Sequence, residues 1–408
     1  VNAVVGMYHM GMNVENNVEG TSVKEIAERF PEIDVIIAGH SHRELASEEI
    51  NGVLITQPSA YAKMLSVVDL VFTKEAKGYQ LTSKASETRK IDQDNLEVDK
   101  NMEILLEPFK TELRNYANTP IGRLINSDLS GNDEIAGISS IFTEPTGIMT
   151  LFHTASRYYS GADVVALNTD YENAGFPVGP ISIKNISQSY SYSGGEITVY
   201  KITGADLKAF LEWSAAYYNQ IDKGDLTVSY DYDRRAGGIS EADTAGGVTY
   251  WFDLTQPVGN RVRELRLITE YDKNKIPILD ADGNPMTIPI TDNMEILFGC
   301  NSYDMGKVMR KGFPLEGKEF EVIFNSVSEW GDDGTIRALT IRYITDVLNG
   351  EVDGDMFNYK NWYLYTGVDK KSDAYRKAVS LINSGILSLP SHENGRTNIG
   401  PITAEDIK

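Results

Sequence analysis

The chain has 408 residues, with 38 Lys+Arg against 59 Asp+Glu and a net charge of -21. That length exceeds one ordinary core and suits two domains. The acidity argues against nonspecific attraction to a nucleic-acid polymer or an anionic membrane, though not against one nucleotide in a local site. Apolar residues make up 41%, and no run approaches the ~20 consecutive apolar residues of a membrane span.

Val1 is not an initiator methionine, and Val1-Asn2-Ala3-Val4-Val5 already reads as the start of a core strand. The expectation is a chain that begins inside a domain. The apolar run Val4-Val5-Gly6-Met7-Tyr8 ends in His9, and Ile33-Asp34-Val35-Ile36-Ile37-Ala38-Gly39 ends in His40-Ser41-His42. Both runs read as buried strands of a parallel sheet. Ligands of open α/β sheets sit beyond the carboxyl ends of strands. Three imidazoles delivered there predict a divalent-metal site at His9, His40 and His42. Gly39 is expected to make the tight turn.

Between these runs, Val23, Ile26, Ala27 and Phe30 share a helical face, with Ser22 as N-cap, Glu25 as its capping-box partner and Pro31 as the stop. Val53 to Pro58 and Met64 to Phe72 read as strands. Residues 98 to 117 form a charged amphipathic stretch with Met102, Leu105, Leu106 and Phe109 on one stripe. Pro108 is expected to split it into two shorter helices.

Beyond residue 120, Val164 to Leu167, Ile197 to Tyr200 and Glu321 to Phe324 read as strands, and Ala205 to Tyr218 and Ile336 to Leu348 as helices. Asp280 to Pro285 lacks the ligand spacing of a calcium loop and reads as a turn. Asp332-Asp333-Gly334-Thr335 reads as a solvated turn capping the helix from Ile336. The lone cysteine, Cys300, excludes an intramolecular disulfide and reads as a small buried residue.

Tyr8-His9 followed by Gly11, and then Gly39-His40-Ser41-His42, resemble the last two metal-ligand motifs of calcineurin-like metallophosphoesterases. The remainder resembles the 5′-nucleotidase family, in its 2′,3′-cyclic-nucleotide 2′-phosphodiesterase/3′-nucleotidase branch. The resemblance rests on Ile183-Lys184-Asn185, Tyr190-Ser191-Tyr192, Ile202 to Lys208, Asp253 to Pro257 and Asn301-Ser302-Tyr303. It implies an α/β fold: a partial metallophosphoesterase sandwich over residues 1–95, a helical connector over 96–118, and a mixed α/β substrate domain over 119–408.

By the same resemblance, His9 and His40 serve one metal and His42 another, in a site for two divalent ions (Zn, Mn, Fe or Co). Tyr192 and Tyr303 match the two rings that sandwich a nucleobase. His153 and His392 match no motif and read as surface or packing residues. The family's Asp-x-His motif, bridging Asp and Asn-His-Glu/Asp motif have no counterpart before His9, so little catalysis is expected from this chain alone. Residues Asp304-Met305-Gly306 stand where relatives carry Arg and a Gly pair, and no arginine cluster surrounds Asn168-Thr169-Asp170. The expected activity of the intact parent is hydrolysis of 2′,3′-cyclic and 3′-nucleotides outside the cytoplasm. The alternatives are a 5′-nucleotidase or UDP-sugar hydrolase on the same scaffold, or a non-catalytic nucleotide-binding module.

Overall fold

The protein is described by a computed structural model covering residues 1–14, 19–92, 95–169, 171–190, 192–230, 242–390 and 399–408. Asp170 and His392 lie outside the described residues. The chain divides into two units, Val1–Pro108 and Phe109–Lys408.

The first unit is built on a four-stranded sheet. Its strands are β1 (Val5–Met7), β2 (Val35–Ile37), β3 (Glu44–Ile50) and β4 (Val53–Pro58), in the order β1-β2-β4-β3. The pairs β1–β2 and β2–β4 are parallel, and β3 returns antiparallel to β4. Helix α1 (Val23–Arg29) is opened by Ser22, whose hydroxyl accepts the Glu25 N–H while the Glu25 carboxylate accepts the Ser22 N–H. The reciprocal bonds satisfy donors that a helix start leaves open. Its Val23 and Ala27 pack with Ile33, Ile36, Ala38, Val53 and Ile55 into a small core. A long ribbon, β5 (Met64–Glu75) with β6 (Gly78–Lys90), completes the unit.

Three expectations need correction. β1 is an edge strand rather than a buried one, with Val5 52% and Met7 82% exposed. β3 and β6 are strands that the reading of the sequence passes over, because Glu44 to Ile50 and Gly78 to Lys90 are rich in polar residues and largely exposed. Pro108 does not split the helix: α2 runs unbroken from Lys100 to Ala117. Proline removes the hydrogen bond to the carbonyl four residues back. That residue, Ile104, is 73% exposed, so water can reach the carbonyl. The apolar stripe on α2 forms as the spacing predicts, yet no residue of α2 is buried.

The second unit carries the large core. Strands β7 (Pro120–Ile125), β9 (Gly179–Ser182) and β17 (Glu351–Asp353) make a sheet of order β17-β7-β9. A second sheet has the order β14-β13-β12-β18, from β12 (Val248–Asp253), β13 (Val262–Ile268), β14 (Thr287–Pro289) and β18 (Trp362–Tyr365). The sheet that matters for function has five strands: β8 (Val164–Leu167), β10 (Thr198–Thr203), β11 (Thr244–Gly246), β15 (Glu295–Cys300) and β16 (Glu321–Asn325). Their order is β11-β8-β15-β10-β16.

Helix α3 (Gly147–Ser160) packs on β8, β11 and β15. Helix α4 (Ile183–Ser189) follows β9, and α5 (Gly204–Ala215) packs on β10 and β15, with Phe210 meeting Phe298 at 4.9 Å. A short helix α6 (Ser302–Val308) leaves the end of β15. The Asp280 region is a turn, its carboxylate accepting the Asp282 and Asn284 N–H groups. Thr335 caps the helix from Ile336, its hydroxyl accepting the Ala338 N–H. Cys300 is fully buried.

Candidate functional sites

In the first unit, β1 and β2 run parallel, so His9 and His40 leave the same edge of the sheet. The Tyr8 N–H donates to the Ile37 carbonyl and the Gly39 N–H to the Met10 carbonyl, which ties the two strand ends together. His9 Nε2 then lies 3.2 Å from His40 Nδ1. Two nitrogens each ~2.0–2.1 Å from one tetrahedral metal ion are themselves about 3.3 Å apart. The pair therefore fits two ligands of a single cation.

Gly39 has an ordinary backbone, and the turn is made by the histidines themselves. His40 and His42 adopt left-handed φ values of 63° and 56°, a region uncommon for residues other than glycine, although histidine enters it more often than most side chains. Ser59, Tyr61 and Ala62 of the facing loop are left-handed as well. Backbone strain of this kind persists where the surroundings impose it. Gln57, 1% exposed, supplies one such constraint. Its amide nitrogen donates to the Arg43 carbonyl at 2.7 Å, and its amide oxygen accepts the Ser41 hydroxyl at 3.1 Å. His42 sits apart from the other two, its ring centroid 5.1 Å from that of Tyr61. Among the described residues no group of three metal-ligating side chains converges. The donor set is thus a pair of imidazoles, consistent in type with Zn, Mn, Fe or Co but short of a full site.

The second unit gathers its polar groups by topology. β8 and β15 are parallel, so Asn168 and the Asn301–Asp304 segment follow their carboxyl ends at one edge. β10 and β11 run antiparallel to them, which brings Tyr192, Glu196 and Asp243 to that edge from before their strands. Asn168 is buried, donating its amide N–H to Asp243 at 3.2 Å, while its amide oxygen has no partner. Glu196 accepts the Ser302 N–H at 2.9 Å. Tyr190 is buried behind them, its phenol pushed well above its usual value by burial and by the nearby Asp304, Asp243 and Glu196 carboxylates. Arg337 pins this segment by donating twice to the Tyr190 carbonyl.

The two singled-out tyrosines stand on segments that lead to or from this edge, Tyr192 before β10 and Tyr303 after β15. Tyr192 is half-buried, its ring 5.8 Å from Tyr190 at 71°. Tyr303 lies in the first turn of α6, its N–H accepted by the Asn301 side chain at 2.8 Å, and is 55% exposed. Asn168, Glu196, Asp243, Asp304 and Lys307 escape a reading of the sequence, since only strand order puts them together. The available signal is position for Asn168, Glu196 and Asp243, which stand just before or after a strand, whereas Asp304 and Lys307 lie within α6. His153 belongs to neither site: it is buried in α3 and its pKa is pushed down to about 3 by burial.

Residues 121–283, which hold the Tyr192 loop and strands β8, β10 and β11, match the sequence family described as 5′-nucleotidase, C-terminal domain. The chain carries a 5′-nucleotidase C-terminal domain. Around it, the chain is 25% identical over 413 residues to a 2′,3′-cyclic-nucleotide 2′-phosphodiesterase/3′-nucleotidase of Haemophilus influenzae, covering 90% of this chain and 58% of that protein. It is 26% identical over 347 residues to the protein of the same name from Yersinia enterocolitica, covering 74% of this chain and 50% of that one. It is 24% identical over 329 residues to a trifunctional nucleotide phosphoesterase of Bacillus subtilis, covering 74% of this chain and 22% of that one.

The chain thus spans less than two thirds of the length of each relative. A crystal structure described as a 5′-nucleotidase from Staphylococcus aureus superposes with a TM-score of 0.58 at 17% identity, over 89% of this chain and 64% of that one. The mixed α/β architecture is therefore that of a 5′-nucleotidase-type structure, with the C-terminal domain in the second unit. No described helix is long and apolar enough to cross a membrane.

Proposed function

We propose that this chain is the nucleoside-binding part, with a share of the metal centre, of a metal-dependent phosphoesterase that hydrolyses 2′,3′-cyclic nucleotides and 3′-nucleotides outside the cytoplasm. The observation that carries this reading is the His9–His40 pair, 3.2 Å apart at the ends of two parallel strands. The names of the relatives support the substrate class.

His9 and His40 would hold one divalent ion, and His42 would contribute to a second. Such an ion, when bound, polarises phosphoryl oxygens and lowers the pKa of water. Gln57 and Ser41 hold the histidine loop in the orientation that ligation needs. Tyr192 and Tyr303 stack the base, an interaction worth ~1–3 kcal/mol per base and tolerant of base identity. The carboxylates and the Asn168 amide oxygen at the same edge accept hydrogen bonds, which suits the hydroxyls and amino groups of a nucleoside and repels phosphate. Water adds to phosphorus as the bond to O2′ breaks and O2′ takes a proton, giving the 3′-nucleotide. A second hydrolysis breaks the bond to O3′ and releases nucleoside and phosphate.

A binding series tests this. With Mn2+ present, 2′,3′-cyclic AMP and 3′-AMP should bind more tightly than 5′-AMP, and turnover by the chain alone should stay near background. Robust turnover of 5′-AMP would overturn the reading. A non-catalytic nucleotide-binding role is favoured by one observation, the incomplete donor set among the described residues, and equal binding with and without Mn2+ would support it.

A further inference from the structure

Lys307 lies one helical turn after Tyr303 on α6. Its side chain is only 4% exposed and its ammonium stands 4.0 Å from the Asp304 carboxylate. The same ammonium sits 4.2 Å from the centroid of the Tyr303 ring. Lysine is almost never buried to this degree unless its charge is partnered. Here a carboxylate and an aromatic face both serve that charge. Met305 and Val308 are buried alongside, so the helix is anchored on the side that carries the lysine. Tyr303 nevertheless remains 55% exposed.

We infer that Lys307 is a positioning residue for Tyr303: held by Asp304, its ammonium backs one face of the phenol ring and presents the other for stacking on a purine. The inference rests on the base-stacking role proposed above. A half-exposed tyrosine with nothing behind it samples several rotamers, and stacking would have to freeze them. The cation–π contact restricts the ring before a ligand arrives. It also draws π density toward the covered face. The open face is left poorer in electrons and stacks more favourably on an electron-rich purine than on a pyrimidine.

The test is calorimetric titration of adenosine and of cytidine into the wild type and into Lys307→Met, Lys307→Arg and Tyr303→Ala. Thermal unfolding of each variant runs alongside. Because Lys307→Met removes the cation beside Asp304, the double variant Lys307→Met/Asp304→Asn provides a charge-balanced second route to the same ring. Adenosine affinity is expected to fall roughly three- to ten-fold in both Lys307→Met backgrounds, with the adenosine-over-cytidine preference reduced. Lys307→Arg should restore affinity, since guanidinium also packs on aromatic faces. Wild-type affinity in both Lys307→Met backgrounds, with binding lost in Tyr303→Ala, would overturn the inference and leave the stacking role intact. No adenosine binding by the folded wild type would overturn the stacking role itself, and this inference with it.

Discussion

His9 Nε2 and His40 Nδ1 stand 3.2 Å apart although 31 positions separate them in the chain. Parallel pairing of β1 with β2 is what closes that separation. If the pair ligates one cation, His9→Ala and His40→Ala should each abolish saturable Mn2+ or Zn2+ binding in calorimetry, while His42→Ala should lower stoichiometry or affinity without abolishing it. Undiminished metal binding by both single variants would contradict the assignment.

Gln57 touches neither metal-facing nitrogen, yet it anchors Ser41 and Arg43 on either side of His42. Gln57→Leu keeps the volume and removes those bonds. Outer-shell partners of metal ligands typically contribute 10–100-fold in affinity, so metal affinity should fall by roughly ten-fold or more. A smaller change would mean that the strained backbone at His40 and His42 holds itself.

Burial pushes the His153 imidazole down to about 3 from its usual 6.5; nearby Arg157 adds to this and a hydrogen bond to the Thr244 backbone opposes it. The unfolded chain takes up a proton near pH 6.5, whereas the folded chain does so only near pH 3. Across that window the unfolded state binds more protons, so stability rises with pH and levels off above about 6.5. The loss at the acid end amounts to roughly 4–5 kcal/mol. His153→Asn keeps a donor near the Thr244 backbone but cannot titrate, and its stability profile between pH 4 and 7 should be flatter than that of the wild type.

Arg261, 1% exposed, donates to the Ala215, Tyr218 and Gln256 carbonyls. The Glu212 carboxylate accepts the backbone N–H groups of Arg261 and Val262. Arg261→Met keeps the backbone N–H groups that Glu212 accepts and removes the guanidinium donor from the Ala215, Tyr218 and Gln256 carbonyls. Leaving a buried polar group without its hydrogen bond costs about 1–3 kcal/mol, which chemical denaturation would register as a lower midpoint. The motif Asp253 to Pro257 is explained by this arrangement: Thr255 bonds Asp253, and Gln256 offers its carbonyl to the arginine.

Apolar periodicity and capping chemistry make much of this fold readable from residues alone. Ser22 and Glu25 mark α1, and Val164 to Leu167 mark β8, because local patterns decide them. Polar strands such as β3 carry no such pattern and are defined by their partners. The continuity of α2 through Pro108 depends on exposure at Ile104, which no local pattern reports. At the candidate sites, His9 and His40 stand out as strand-end residues, whereas Tyr192 and Tyr303 are two among 22 tyrosines and are singled out only by resemblance. Asn168, Asp243 and Glu196 converge through the strand order β11-β8-β15-β10. Lys307 becomes visible only through its 4.2 Å approach to a ring.

The central claim is that the second unit binds a nucleoside between Tyr192 and Tyr303. Calorimetric titration of adenosine into the wild type, Tyr192→Ala and Tyr303→Ala tests it most directly. Saturable binding by the wild type, weakened by roughly 1–3 kcal/mol in each variant, is the predicted result. A folded wild type that binds no adenosine, or tyrosine variants that bind as tightly as the wild type, would contradict it.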